Sequence, residues 1–136
     1  METGGIVSDS APRDIQERTF EFGVRIIKLI DRMPRTLAAA EIGRQILRSG
    51  TSVGANMEEA KGAESKRDFV HKTNTAYKEA RETYYWLGLI DAAILPKDKE
   101  VCTLRQECDE IIRILHAILR KSRANMRGSY TAKSSP

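Results

Sequence analysis

Residues 65–94 read SKRDFVHKTNTAYKEARETYYWLGLIDAAI. Within them Phe69, Thr73, Ala76, Ala80, Thr83, Leu87, Ile90 and Ile94 recur at spacings that alternate four and three residues. This is the rhythm of an α-helix that lays one face along other helices in a heptad seam. Val70, Tyr77 and Tyr84 widen the face. Ser65 stands where a hydroxyl can accept from a first-turn N–H, with Asp68 in the carboxylate position of a capping box. Pro96 cannot continue the helix, so the pattern predicts a helix over 66–94.

The same rhythm continues on either side. Val101, Leu104, Cys108, Ile111, Leu115 and Ile118, flanked by Ile112 and Leu119, predict a helix over 98–125. Before the opening stretch, Thr36 is a candidate N-cap and Gly62 a candidate stop for a helix over 36–62. A first helix is expected over 14–33. It has two apolar stripes, Phe20–Val24–Ile27 and Gly23–Ile26–Ile30–Met33, and Pro34 ends it. Four long helices on short connections make an all-α, antiparallel up-down-up-down four-helix bundle over 13–126. A flexible N-terminus (1–12) and a flexible basic tail (127–136) flank it. Neither strand alternation nor a Gly-rich phosphate loop is present in the sequence.

The segment RSGTSVGANMEEA, residues 48–60, is unusual for a helix. Glycine in a helix interior costs about 1 kcal/mol against alanine. Gly50 and Gly54 have small-xxx-small spacing, which lets a neighbouring helix come close. One face reads Ile42, Ile46, Val53, Met57, Ala60; the adjoining face, Gln45, Arg48, Ser52, Asn56, Glu59, is wholly polar. Equal distances from the turn near Glu64 set Arg48 opposite Ala80, between Glu79 and Glu82. A half-buried ion pair from Arg48 to Glu79 or Glu82 is expected, as a structural polar seam of Arg48, Ser52, Asn56 and Glu59 against the third helix.

Composition suits a single soluble domain: 136 residues, 40% hydrophobic and 31% charged, with a formal net charge of +4. The charge is uneven. Arg120, Lys121, Arg123, Arg127 and Lys133 close the chain, and none of the 19 acidic residues lies among or after them. Cys102 and Cys108, six apart on one helix, project to different faces and read as free thiols of a reducing compartment. No apolar run approaches a membrane span, and the start lacks a charged-then-apolar signal pattern, so a cytoplasmic protein without membrane contact is expected.

LRSGTSVGANMEEA, SKRDFVHK and AYKEARETYYWLGLI together resemble the four-helix bundle family encoded in intervening sequences of bacterial 23S rRNA genes, also labelled ribosomal protein S23-like. The matching positions are Arg48, Ser49, Ser52, Asn56, Glu59, Ser65, Asp68, Phe69, Lys78, Glu79, Glu82 and Thr83; Ala60 departs from the glycine many members have there. The resemblance covers roughly residues 15–120. It implies a homopentamer of four-helix subunits. It also implies a relationship in shape to the accessory protein of diversity-generating retroelements, which binds a reverse transcriptase and nucleic acid. It implies no enzymatic activity.

The residues themselves give little chemistry. A di-iron bundle needs two Glu-x-x-His motifs and two more glutamates. Here only Asp68-x-x-His71 comes near, and His116 follows Arg113 by three residues. Neither metal nor cofactor is expected. Glu79 and Glu82 read as partners of Arg48 rather than an acid–base pair, and Ser49 and Ser52 lack a nearby histidine. Tyr84, Tyr85 and Trp86 read as packing or a subunit interface before base stacking. In this topology one end of the bundle collects Lys61, Lys66, Arg67, Lys72, Arg120, Lys121, Arg123 and Arg127, with Arg13 and Arg18 nearby; Asp14, Glu17, Glu58, Glu59, Glu64 and Asp68 share that end, so its field is mixed rather than purely positive. The expected function is therefore a non-enzymatic oligomer whose basic end binds RNA, DNA or a nucleic-acid-processing protein. The alternative is a protein-binding scaffold or accessory subunit without direct nucleic-acid contact.

Overall fold

A computed structural model describes residues 14–134. The expected flexible segment 1–12 and Arg13 lie outside them. Four helices account for nearly all of the described chain: α1 (Ile15–Asp31), α2 (Leu37–Lys61), α3 (Lys66–Ala93) and α4 (Lys99–Ser134). No strand occurs among these residues. Each start is fixed by a side chain that accepts from an otherwise unpaired N–H of the first turn. Asp14 accepts from Glu17, Thr36 from Ala39, Ser65 from Asp68 and Asp98 from Val101. Pro34 and Pro96 lie in the connections that follow α1 and α3.

One boundary differs from expectation. α4 does not give way to a flexible tail after Asn125 but continues to Ser134. Gly128 weakens a helix without ending it, and the next proline is Pro136.

α2 packs on α1 and α3, and α4 packs on α3 and α1, whereas α1–α3 and α2–α4 do not meet. The helices therefore follow one another around a square, each antiparallel to its neighbours. Gly23 lies by Thr51 and Gly43 by Met33; Arg48 meets Glu82 and Lys72 meets Glu59; Tyr77 stacks by His116 and Gly88 lies by Arg105. The core between them holds Phe22, Ile26 and Leu29 from α1, Ile46, Val53 and Met57 from α2, Leu87 and Ile90 from α3, and Leu104, Ile111 and Leu115 from α4. Burying each such side chain contributes about 1.5–3 kcal/mol.

The inward face of α1 is Phe22–Ile26–Leu29 rather than Phe20–Val24–Ile27: Phe20 is 70% exposed and Ile27 47%. At about 100° per residue Phe20 and Phe22 lie on nearly opposite sides of the helix, so only one can enter the core. The seam between α1 and α4 is laced by ion pairs at heptad spacing. Arg18 meets Glu107 and Glu110, Arg25 meets Glu100, and Arg32 meets Asp98.

Gly50 and Gly54 of the 48–60 segment face α1. A Cβ on Gly54 would lie 3.0 Å from the Thr19 carbonyl oxygen, and one on Gly50 would lie 3.0 Å from Ile26. Both glycines are thus required by the close approach of α1, which answers for two poor helix formers in mid-helix.

Candidate functional site

The topology brings the C-terminus of α2, the N-terminus of α3 and the C-terminal part of α4 to one end. Lys61 is the last residue of α2, and Lys66 and Arg67 are the first two of α3; all three are exposed. Along α4, exposed Arg120, Lys121, Arg123 and Arg127 line one shallow surface together with Ala117 and Ala124. Acidic residues stop at Glu110, so nothing on this length of helix offsets the four guanidinium and ammonium groups. Lys61, in the last turn of α2, also sits well against the partial negative charge of that helix's unpaired carbonyls.

Two of the expected basic residues are already engaged. Lys72 lies 2.7 Å from Glu59 Oε1, and that bond raises its pKa above the ordinary lysine value. Arg18 makes a bidentate contact with Glu107 and a third bond to Glu110 at 2.7 Å. Its charge serves the α1–α4 seam rather than the end of the bundle. The spacing of seven between Arg18, Arg25 and Arg32 was the signal for that role.

The polar face of α2 divides in two. Arg48 Nη1 donates to Glu79 at 3.1 Å and Arg48 Nη2 donates to Glu82; Trp86 Nε1 adds a bond to Glu82 at 3.0 Å. The Arg48 hydrogen bond, assisted by Trp86, holds the Glu82 carboxyl below its ordinary value. Arg48 is 51% exposed, so the pair lies nearer the surface than expected. Exposed pairs contribute about 0–1 kcal/mol, because solvent screens them and long side chains must be ordered. Ser52 and Asn56 do not reach α3. The Asn56 amide donates to the Ser52 carbonyl and hydroxyl within α2, at 2.9 and 3.0 Å.

One buried pairing escaped the sequence reading. Ser49 and Thr83 share a hydrogen bond of 2.8 Å between α2 and α3, with both residues fully buried. Deeper still, Cys108 Sγ donates to the Ala80 carbonyl at 3.2 Å, and burial pushes its thiol pKa up to about 12.

The aromatic group is held by packing. Tyr85 meets Trp86 edge-on, and the Arg105 guanidinium lies 4.4 Å over the Tyr84 ring. Among the described residues no group of His, Cys, Asp and Glu is placed to hold a metal ion, and no helix is long and apolar enough to cross a membrane. What the basic end can do chemically is attract anions through its exposed cations.

Residues 13–117 match the model of the 23S rRNA-intervening sequence protein family. No curated protein matches the chain. A 1.70 Å crystal structure of a protein of unknown function from the S23 ribosomal protein family of Bacteroides thetaiotaomicron is 35% identical to it. The match covers 78% of this chain and 98% of that one, with a TM-score of 0.70.

Proposed function

The chain belongs to the 23S rRNA-intervening sequence protein family, and on that premise we propose a non-enzymatic homopentamer that binds nucleic acid through its basic ends. The observation that carries this reading is the run of Arg120, Lys121, Arg123 and Arg127 on one exposed surface of α4, with Lys61, Lys66 and Arg67 at the same end. Phosphate recognition needs little more than cations spaced along a surface, because binding is driven largely by release of condensed counterions. One +4 chain binds weakly by this means. Five chains in a ring present five such surfaces together, and simultaneous contacts raise the apparent affinity steeply.

Binding to RNA and DNA across a salt series tests this. Affinity should fall linearly with the logarithm of salt concentration, and Arg120→Gln with Lys121→Gln and Arg123→Gln should flatten that slope. Absence of binding at low salt, or binding indifferent to salt, excludes the electrostatic reading. It would favour instead an accessory subunit that contacts only protein, for which the exposed apolar residues of α1 supply a surface.

A further inference from the structure

The groove between α3 and α4 carries a pattern that the basic end alone does not explain. On α4, Arg105, Ile112, His116, Arg120, Arg123 and Arg127 fall within about 80° of one another at about 100° per residue. On α3, Lys66, Val70, Tyr77, Arg81, Tyr84 and Gly88 fall within about 60°. Side-chain contacts set these two faces side by side. His116 lies by Tyr77 with ring centroids 5.8 Å apart. The Arg81 guanidinium lies 5.9 Å from the Tyr77 ring centroid, and that of Arg105 lies 4.4 Å from the Tyr84 centroid. Cations and rings therefore follow one another from the exposed Arg120–Arg127 run to Arg105. The acids of α3 face the other way, since Glu79 and Glu82 bind Arg48 of α2. Asp109 shares the α4 face but is bonded to Arg113 at 2.9 Å. Asp91 stands past Arg105, at the end of the groove remote from the basic run.

Two arginines in this groove differ from the rest. Arg18, Arg25, Arg32 and Arg48 each hold a carboxylate, whereas Arg81 and Arg105 hold none among the described residues. Arg105 is nevertheless fixed in place. Its guanidinium lies on Tyr84 and in a notch left by Gly88, where a Cβ would come within 2.9 Å of Nη2. Its Nε is buried without an acceptor. A guanidinium held ready and short of an acceptor suits an oxyanion. Beside it, on the same surface, Arg81 is exposed and the Tyr85 ring is 58% exposed.

Resting on the nucleic-acid reading above, we propose that the α3–α4 groove is a track for a single strand, which enters at the Arg120–Arg127 run and ends at Arg105. Backbone phosphates follow Arg123, Arg120, Arg81 and Arg105, and a base stacks on Tyr85. Two features select a single strand over a duplex. Packed helices lie about 8–10 Å apart, so the furrow between them takes one chain. A ring platform also needs an unpaired base, because the bases of a duplex already stack on one another. Asp91 closes the track beyond Arg105, since a further phosphate there would meet a like charge. The 22 residues from Arg105 to Arg127 span about 33 Å of helix, the length of about ten stacked nucleotides.

Fluorescence anisotropy on the full chain decides it, with a labelled single strand of about ten nucleotides, as DNA and as RNA, and the matching duplex. Either single strand should bind more tightly than its duplex. Tyr85→Leu keeps an apolar side chain and loses the ring face. It should weaken single-strand binding by about 5- to 150-fold at an unchanged salt slope, and Tyr85→Phe should restore it. Arg81→Gln should reduce the salt slope by about 0.7, the single-strand value for one phosphate contact. Circular dichroism checks that each variant keeps its helicity; if Tyr85→Leu fails to fold, Arg81→Gln, at an exposed position, carries the test. Binding that both variants leave unchanged, while the Arg120, Lys121 and Arg123 substitutions remove it, overturns the track and leaves the basic-end reading standing. A duplex bound as tightly as the single strand has the same consequence. No binding of any form at low salt overturns both.

Discussion

Ser49 of α2 and Thr83 of α3 are joined by a 2.8 Å hydrogen bond inside the core, each fully shielded from solvent. Removing the Thr83 hydroxyl strands that of Ser49, and an unsatisfied buried polar group costs about 1–3 kcal/mol; removing the Ser49 hydroxyl leaves Thr83 its 2.8 Å bond to the Glu79 carbonyl. Thr83→Val should lower stability by that amount in urea unfolding, and Ser49→Ala by less, because Thr83 still donates to Glu79. The double variant should lose less than the two losses combined, because replacing both partners leaves nothing stranded.

Thr73, one seam position from the start of α3, behaves in the opposite sense. Its hydroxyl is buried without a hydrogen-bond partner. Valine has nearly the same shape and no group to desolvate. Thr73→Val is expected to stabilise the protein by about 1 kcal/mol, read as a higher urea midpoint at unchanged slope.

The glycines of α2 should respond unequally to alanine. At Gly43 a Cβ would meet Met33 at 3.5 Å and Ile30 at 3.8 Å, ordinary contact distances. Alanine there gains up to about 1 kcal/mol of helix propensity. At Gly54 the nearest atoms are the Thr19 carbonyl at 3.0 and 3.2 Å, backbone that can yield only if α1 moves. Gly43→Ala should raise the melting temperature and Gly54→Ala lower it.

Cys102 is exposed and Cys108 buried, with its thiol pKa pushed up to about 12 chiefly by burial. Only a thiolate attacks a disulfide reagent. One thiol per folded chain should react with an aromatic disulfide reagent at pH 8, and two after unfolding. Two fast thiols in the native protein would contradict the packing of α4.

The Arg48–Glu82 contact predicts a pH dependence. The Glu82 pKa is depressed in the folded chain, first by its hydrogen bond to Arg48. A depressed carboxyl stabilises the fold above its ordinary pKa and ceases to do so as pH falls through the folded value. Arg48→Met should therefore lower stability at pH 7, by about 1 kcal/mol or less since Arg48 is half exposed. Thermal unfolding of the variant and the parent should draw together as pH falls below the ordinary glutamate range, through the depressed Glu82 value.

Much of the fold was legible because it rests on local physics. Thr36 and Ser65 cap helices by bonds spanning three residues, and Pro34 and Pro96 bar continuation. The α3 seam from Thr73 to Ile90 is buried as its spacing required. Of the candidate site, the exposed run from Arg120 to Arg127 was readable because no acidic residue interrupts it.

Lateral packing decided the rest. Sequence reading assigns α1 two apolar stripes, yet Phe22 and Leu29 stand in neither; the contacts with α2 and α4 bury them with Ile26 and leave Phe20 and Ile27 outside. The end expected for α4, at 125, falls too early, since Gly128 neither requires nor forbids further helix. The depth of Arg48, the capture of Lys72 by Glu59 and of Arg18 by Glu107, and the Ser49–Thr83 bond all depend on how far one helix slides and turns against its neighbour. Helical periodicity places a residue on a face; only the assembled bundle settles what that face meets.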